Sequence, residues 1–111
     1  MKQSEADKIE SMYIHYHYKC FVCNRPAVQR AHILSNTVAN RRQYGAVIDN
    51  ALNWLPACSL ECNALIDTGK NTLLKNNIER YIKSGNRAMI EQLVGDNIAH
   101  KKERLCKPND V

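Results

Sequence analysis

Cys20-Phe21-Val22-Cys23 and Cys58-Ser59-Leu60-Glu61-Cys62-Asn63 bracket the stretch of chain on which the fold turns. Zinc at a structural site takes four tetrahedral ligands, and two short-spaced cysteine pairs let two loops supply two thiolates each. Cys20 and Cys23 have the spacing of a zinc knuckle. Cys58 and Cys62 are separated by three residues, a less common spacing, and a helix beginning near Cys62 absorbs the extra one. The competing reading is four buried or incidental cysteines, and two separated pairs in a chain whose thiols stay reduced argue against it. Zinc held this way contributes roughly 10–16 kcal/mol in apparent binding terms, enough to decide whether a small domain folds. Cys106, the fifth cysteine, lies beyond the last helix and reads as a spare thiol.

The bulk composition favours such a staple. At 111 residues the chain is the size of one domain, and 44% apolar residues place it among globular proteins. One Phe and one Trp leave a thin aromatic core, the situation in which small folds add a metal or a cross-link. Sixteen Lys and Arg against 11 Asp and Glu give a net charge of +5. That excess favours a polyanion as partner, because each Lys or Arg that meets a phosphate releases counterions. Four thiolates would subtract charge locally, so the basic surface is expected elsewhere. No apolar run reaches the length of a membrane span, and the N-terminus lacks a signal peptide's apolar core. A cytoplasmic, thiol-reducing location is therefore expected.

Working outward, the pattern separates three regions of a single α+β unit. From Ser4 to Tyr18, Ile9, Met12, Tyr13 and Tyr16 recur at helical spacing behind a Ser4 cap. His15 and His17, near its end, read as solvent-facing or packed. From Tyr18 to Asp67 the pattern is irregular, with two apolar stretches, Val28–Leu34 and Ala46–Leu55, each long enough for a strand. The polar Ser35–Tyr44 segment between them reads as a long hairpin loop. Leu74, Ile78, Tyr81 and Ile82 then mark a helix that Ser84-Gly85-Asn86 ends, and Ile90, Leu93, Val94 and Ile98 mark another toward Arg104. The expected organisation is one domain over 1–111, with a core at about 18–70, a helical extension over 71–105 and a frayed tail from Lys107.

Within the cysteine bracket, Ala31-His32-Ile33 closes the first apolar stretch, Asn53 lies five residues before Cys58, and Asn63 follows Cys62. In that order and spacing, Cys20–Asp67 resembles the core of an HNH (ββα-metal, His-Me finger) endonuclease. The resemblance covers a little under half the chain; the flanking helices match nothing in it. It implies a small ββα-metal core stapled by a four-cysteine zinc site. It also implies metal-dependent hydrolysis of DNA phosphodiester bonds, as nicking or double-strand cleavage. Such chemistry needs an activated water, neutralisation of charge on the phosphorane and stabilisation of the departing 3′ oxygen. A histidine near its ordinary pKa can take the water's proton, and one hard divalent cation can serve the oxygens.

By resemblance, His32 is the general base and Asn53 is the central Asn that holds the hairpin loop and orients His32. Asn63 takes the metal-ligand position, where a histidine is commoner and where an amide oxygen suits magnesium or manganese. The Asn variant also occurs in phage enzymes that resolve branched DNA. Many members carry Asp or His before the base as a second ligand, and this chain has Ala31. Asp67, four residues after Asn63 and on the same helical face, is the candidate replacement; the alternative is a turn carboxylate ahead of Gly69.

Arg25 and Arg30 flank the first strand, Arg41 and Arg42 sit on the long loop, and Lys70 and Lys75 open the helical region. Of these, Arg30, Arg41, Arg42 and Lys70 are the expected DNA contacts, each also readable as a solvated charge. Two readings compete with the nuclease: a zinc-stapled DNA-binding module without catalysis, and a zinc protein that binds other proteins through its C-terminal helices. Double-strand cleavage by so small a core would need two active sites, hence a homodimer or two sequential nicks.

Overall fold

A computed structural model describes residues 4–105, and its elements follow the apolar pattern more closely at the two ends than in the middle. Cys106 and the tail from Lys107 lie outside the described residues. Helix α1 (Glu5–His15) starts where Ser4 Oγ accepts the Asp7 N–H, with Glu5 and Asp7 in the first turn, where the helix dipole favours anions. It is shorter than the apolar pattern implies. The chain turns out through His17 and Tyr18, both at left-handed φ of 58° and 57°, a conformation uncommon outside glycine.

Two antiparallel strands form the sheet, β1 (Gln29–His32) and β2 (Trp54–Ala57), paired Gln29 with Ala57 through His32 with Trp54. The expected second strand over Ala46–Leu55 is corrected here. Gly45–Asp49 and Ala51–Asn53 are 3-10 turns, and pairing begins only at Trp54. Gly45, at φ 57° and ψ −131°, redirects the chain, and Asn50 Oδ1 takes the Leu52 N–H at 2.9 Å. Val47 and Ile48 reach the core from these turns, so the segment is apolar without being extended. The expected loop Ser35–Tyr44 is also corrected, because it contains helix α2 (Val38–Tyr44). Thr37 Oγ1 caps the helix by accepting the Asn40 N–H at 3.1 Å, and Asn40 and Tyr44 face inward.

Helix α3 (Leu60–Ile66) follows β2 directly, capped by Ser59, so the order around the sheet is strand, strand, helix. Helices α4 (Thr72–Lys83) and α5 (Arg87–Leu105) complete a mixed α+β fold and pack against each other; α5 also packs on α3. Their apolar faces close the core: Ile78, Ile82, Ile90, Val94 and Ile98 join Ala31, Ile33, Leu34, Ile48, Leu55 and Ile66 in one buried cluster. The Tyr16 hydroxyl ties α1 to α5, donating to Glu91 at 2.7 Å and accepting from Arg87 at 3.1 Å. Among the described residues no helix is long and apolar enough to cross a membrane.

This packing makes Ile78 and Leu73, five residues apart on α4, opposite in consequence. Ile78 has no exposed surface, whereas Leu73 is 74% exposed. Ile78→Ala is expected to lower unfolding stability by about 2–5 kcal/mol and Leu73→Ala by no more than about 0.5 kcal/mol. Urea unfolding at constant zinc checks both; equal midpoints for the two variants would show that α4 is not docked by its Ile78 face.

Candidate functional site

The knuckle over Cys20–Cys23 is built by backbone. Cys20 N–H donates to Arg25 O at 2.7 Å, Asn24 N–H donates to Cys20 O at 2.9 Å, and Lys19 pairs with Pro26 in an isolated bridge. On the other side, Cys58 directly follows β2 and Cys62 sits in the first turn of α3, its N–H held by Ser59 Oγ at 3.1 Å. That capped turn accommodates the three-residue spacing. The four sulfurs lie within 4.8 Å of one another. Cys23–Cys58 is 3.3 Å, Cys58–Cys62 3.6 Å and Cys62–Cys23 4.0 Å, and none is in a disulfide. Tetrahedral zinc with sulfurs at about 2.3 Å puts its ligands about 3.8 Å apart, which these separations bracket. The quartet can therefore hold a metal ion such as zinc.

Their electrostatics point the same way. The Arg25 backbone N–H, with neighbouring thiols assisting, brings Cys23 down to about 7. Its neighbour Cys58 is pushed up to about 12, chiefly by the bond to Cys23, and burial raises Cys62. Four thiols this close cannot all ionise side by side in the absence of a cation, and a divalent ion removes that conflict.

His32 closes β1, half-buried, with its ring edge-on to Trp54 at 6.3 Å between centroids. Burial, and then the Arg30 charge, lower its pKa from 6.5. Its imidazole is therefore neutral at neutral pH and available to accept a proton. The chain immediately after it is held by Asn53, whose side chain is completely buried. Asn53 Oδ1 accepts the Leu34 N–H at 2.8 Å, and its Nδ2 donates to Leu34 O at 3.0 Å and Ile48 O at 3.1 Å. Ile33 N–H adds a bond to Asn53 O at 2.8 Å. One amide thus clamps the chain that follows β1 to the 3-10 turns.

Residues facing one another across an antiparallel pair share a face of the sheet. Arg30, His32, Trp54 and Pro56 accordingly project together, toward α1, where Arg30 meets Glu5. Gln29, Ala31, Leu55 and Ala57 project toward α3, where Asn63 Nδ2 donates to Gln29 Oε1 at 2.8 Å. Asn63 therefore lies on the Ala31 side of β1 and His32 on the other, and the two are not brought into contact. Asp67 departs from the expected same-face relation. α3 ends at Ile66, Asp67 has extended backbone (φ −61°, ψ 132°), and its Oδ1 accepts the Gly69 N–H at 2.9 Å. Its carboxylate closes a turn. Among the described residues the cysteine quartet is the only group of three or more Cys, His, Asp or Glu side chains converging at ligand distance. For a magnesium or manganese ion these residues offer a single hard donor, Asn63 Oδ1, rather than a complete set.

The basic residues divide. Arg30 lies over the Trp54 ring at 4.5 Å and pairs with Glu5 at 3.2 Å; Arg41 forms a two-pronged pair with Asp49 at 2.9 and 3.0 Å. Arg25, Arg42 and Lys70 are exposed, whereas Lys75 donates to the buried Asn40 at 2.9 Å and bolts α2 to α4. Glu5, Asp49, Gln29 and Trp54 escaped the sequence reading. Only the Cys-bracket register could have drawn attention to Gln29 and Trp54, and nothing local marks the two carboxylates. His15 and His17 are exposed, one of the two placements expected for them. No family model matches this chain, and no curated protein or solved structure resembles it at a significant level.

Purified protein is expected to carry close to one zinc per chain by elemental analysis. Chelation should remove the far-UV and near-UV signals of the folded state together; a zinc-free chain that keeps both would overturn the staple. Asn53→Ala leaves the Leu34 N–H and C=O buried without their side-chain partner, while Ile48 O keeps its bond from Trp54 Nε1, a loss of about 2 kcal/mol or more. Urea unfolding reads it, and a loss below about 1 kcal/mol would mean the clamp is not what holds the connection.

Proposed function

We propose that this chain is a metal-dependent DNA endonuclease of the HNH type, with a structural zinc at Cys20, Cys23, Cys58 and Cys62 and His32 as general base. The reading is carried by the Asn53 clamp. A fully buried amide fixes the strand end that presents a half-buried imidazole whose pKa is lowered, between two arginines.

In the hydrolysis, water attacks phosphorus while a free ring nitrogen of His32 takes its proton, forming the new P–O bond. The bond to the 3′ oxygen breaks, and the proton balance closes when that oxygen is protonated from solvent. Arg30, on the same face of β1 as His32, and Arg41, whose charge bears on the imidazole, would offset the phosphate's charge. A magnesium or manganese ion arriving with the DNA would supply further charge neutralisation at the phosphate oxygens; Asn63 Oδ1 suits such an ion, but it lies on the Ala31 side of β1 and would not hold one beside His32. Arg42 and Lys70, both exposed, extend the phosphate contact surface. The reduced thiols of the quartet suit a cytoplasmic setting.

Supercoiled plasmid incubated with magnesium or manganese should be nicked, and His32→Ala should slow nicking by about 100-fold or more with retention on DNA preserved. The base works only when neutral. Since its pKa is lowered from 6.5, the acid limb of the rate profile should fall below pH 6.5, with activity full above it and lost as pH drops through the limb. A limb above 6.5, or equal rates for His32→Ala and parent, would remove His32 from the base role. A second reading, a zinc-stapled DNA-binding module without catalysis, is favoured by one observation. Ala31 is fully buried and supplies no ligand, and the Asp67 carboxylate is engaged by Gly69. It predicts retention on DNA with no nicking under any divalent ion.

A further inference from the structure

His32 is flanked by two arginine–carboxylate pairs. On the α1 side Arg30 Nη1 meets Glu5 Oε1 at 3.2 Å, and in the strand connection both Arg41 terminal nitrogens meet the Asp49 carboxylate at 2.9 and 3.0 Å. All four charges act on the His32 imidazole, Arg30 and Arg41 against its protonation and Asp49 and Glu5 for it. Both guanidinium groups are anchored independently of their carboxylates. Arg30 lies over the buried Trp54 ring at 4.5 Å, and Arg41 Nε donates to Asn36 Oδ1 at 2.5 Å. The carboxylates are the loose partners, with side chains 68% (Glu5) and 59% (Asp49) exposed.

Resting on the endonuclease reading, we infer that Arg30 and Arg41 are the phosphate clamp at His32, and that Glu5 and Asp49 fill it until DNA displaces them. A guanidinium presents the same fork to a phosphate as to a carboxylate. Exposed ion pairs are worth only about 0–1 kcal/mol, so opening them is cheap, whereas DNA brings several phosphates and releases counterions as it docks. A single small anion lacks that advantage. The resident carboxylates therefore favour a polyanion over free phosphate at this site, and they hold both guanidinium groups in place before DNA arrives. Leading helix α1 takes part in the site through Glu5.

The test is fluorescence anisotropy of a short labelled DNA duplex with zinc-loaded protein and no added magnesium. Glu5→Gln and Asp49→Asn should each tighten binding by about two- to five-fold. Glu79→Gln, which removes a carboxylate paired with Lys83 on α4, should change it much less. In an Arg30→Gln background the gain from Glu5→Gln should vanish. Unchanged or weaker binding by Glu5→Gln and Asp49→Asn, a gain equal to that of Glu79→Gln, or a gain that survives without Arg30 would each overturn the clamp. If the parent nicks plasmid while these affinities stay flat, only this inference falls; if it never binds DNA, the endonuclease reading falls with it.

Discussion

A buried amide carries the middle of this molecule. Asn53 has no exposed surface and satisfies three backbone groups, two on Leu34 and one on Ile48. The segment it serves runs between β1 and β2 with little regular structure of its own: a seven-residue helix and two 3-10 turns. A connection of that kind cannot bury its backbone unless something else supplies the hydrogen bonds. Asn53 supplies them from the residue that precedes β2, so the sheet, the turns and the strand end bearing His32 are set by one side chain. Trp54 extends the same arrangement, donating Nε1–H to Ile48 O at 3.3 Å while its ring faces His32 and Arg30.

The cysteine quartet acts at the opposite end of the sheet. It joins the knuckle that enters β1 to the helix that leaves β2, and β1 and β2 are only four residues each. A two-stranded sheet is marginal on its own in water. Helices cover both faces here, α3 with α4 and α5 on the Ala31 face and α1 on the Trp54 face, and the thiol cluster lies at the Gln29 end. His32 lies at the far end, away from the sulfurs, where the ladder stops and the Asn53 clamp begins.

Charge in this protein is arranged more tightly than its net excess suggests. Arg30 and Arg41 each have a carboxylate partner, and Lys75 and Lys101 are held by side-chain and backbone oxygens, Lys101 capping the end of α3 through Ala64 O and Asp67 O. Burial of the Lys101 stem lowers its pKa. A count of basic residues therefore overstates the cations free to meet an anion, and the position of each pair relative to His32 matters more than the total.

Sequence by itself determined the two ends and the pairing of cysteines that could hold a metal. Helical spacing of Met12 and Tyr16, and of Ile78, Ile82, Ile90, Val94 and Ile98, is enforced by the 3.6-residue turn, so burial could be read from order alone. Cysteine spacing is likewise local, because two thiols on one short loop lie within reach of a single metal ion. Thr37, a capping residue ahead of Val38, also signalled α2 locally, but the charged Arg41 and Arg42 disguised it as a loop. The run from Ala46 to Leu55 was misleading, since 3-10 turns and a strand can both be made of apolar residues and only the Gly45 and Asn50 geometry separates them. Tertiary structure alone decided which face of β1 each side chain takes, that Asn63 meets Gln29 and not His32, and that Glu5 and Asp49 face the two arginines. Those relations join residues up to 34 positions apart, and no local preference encodes a partner that only the packing of other elements brings near.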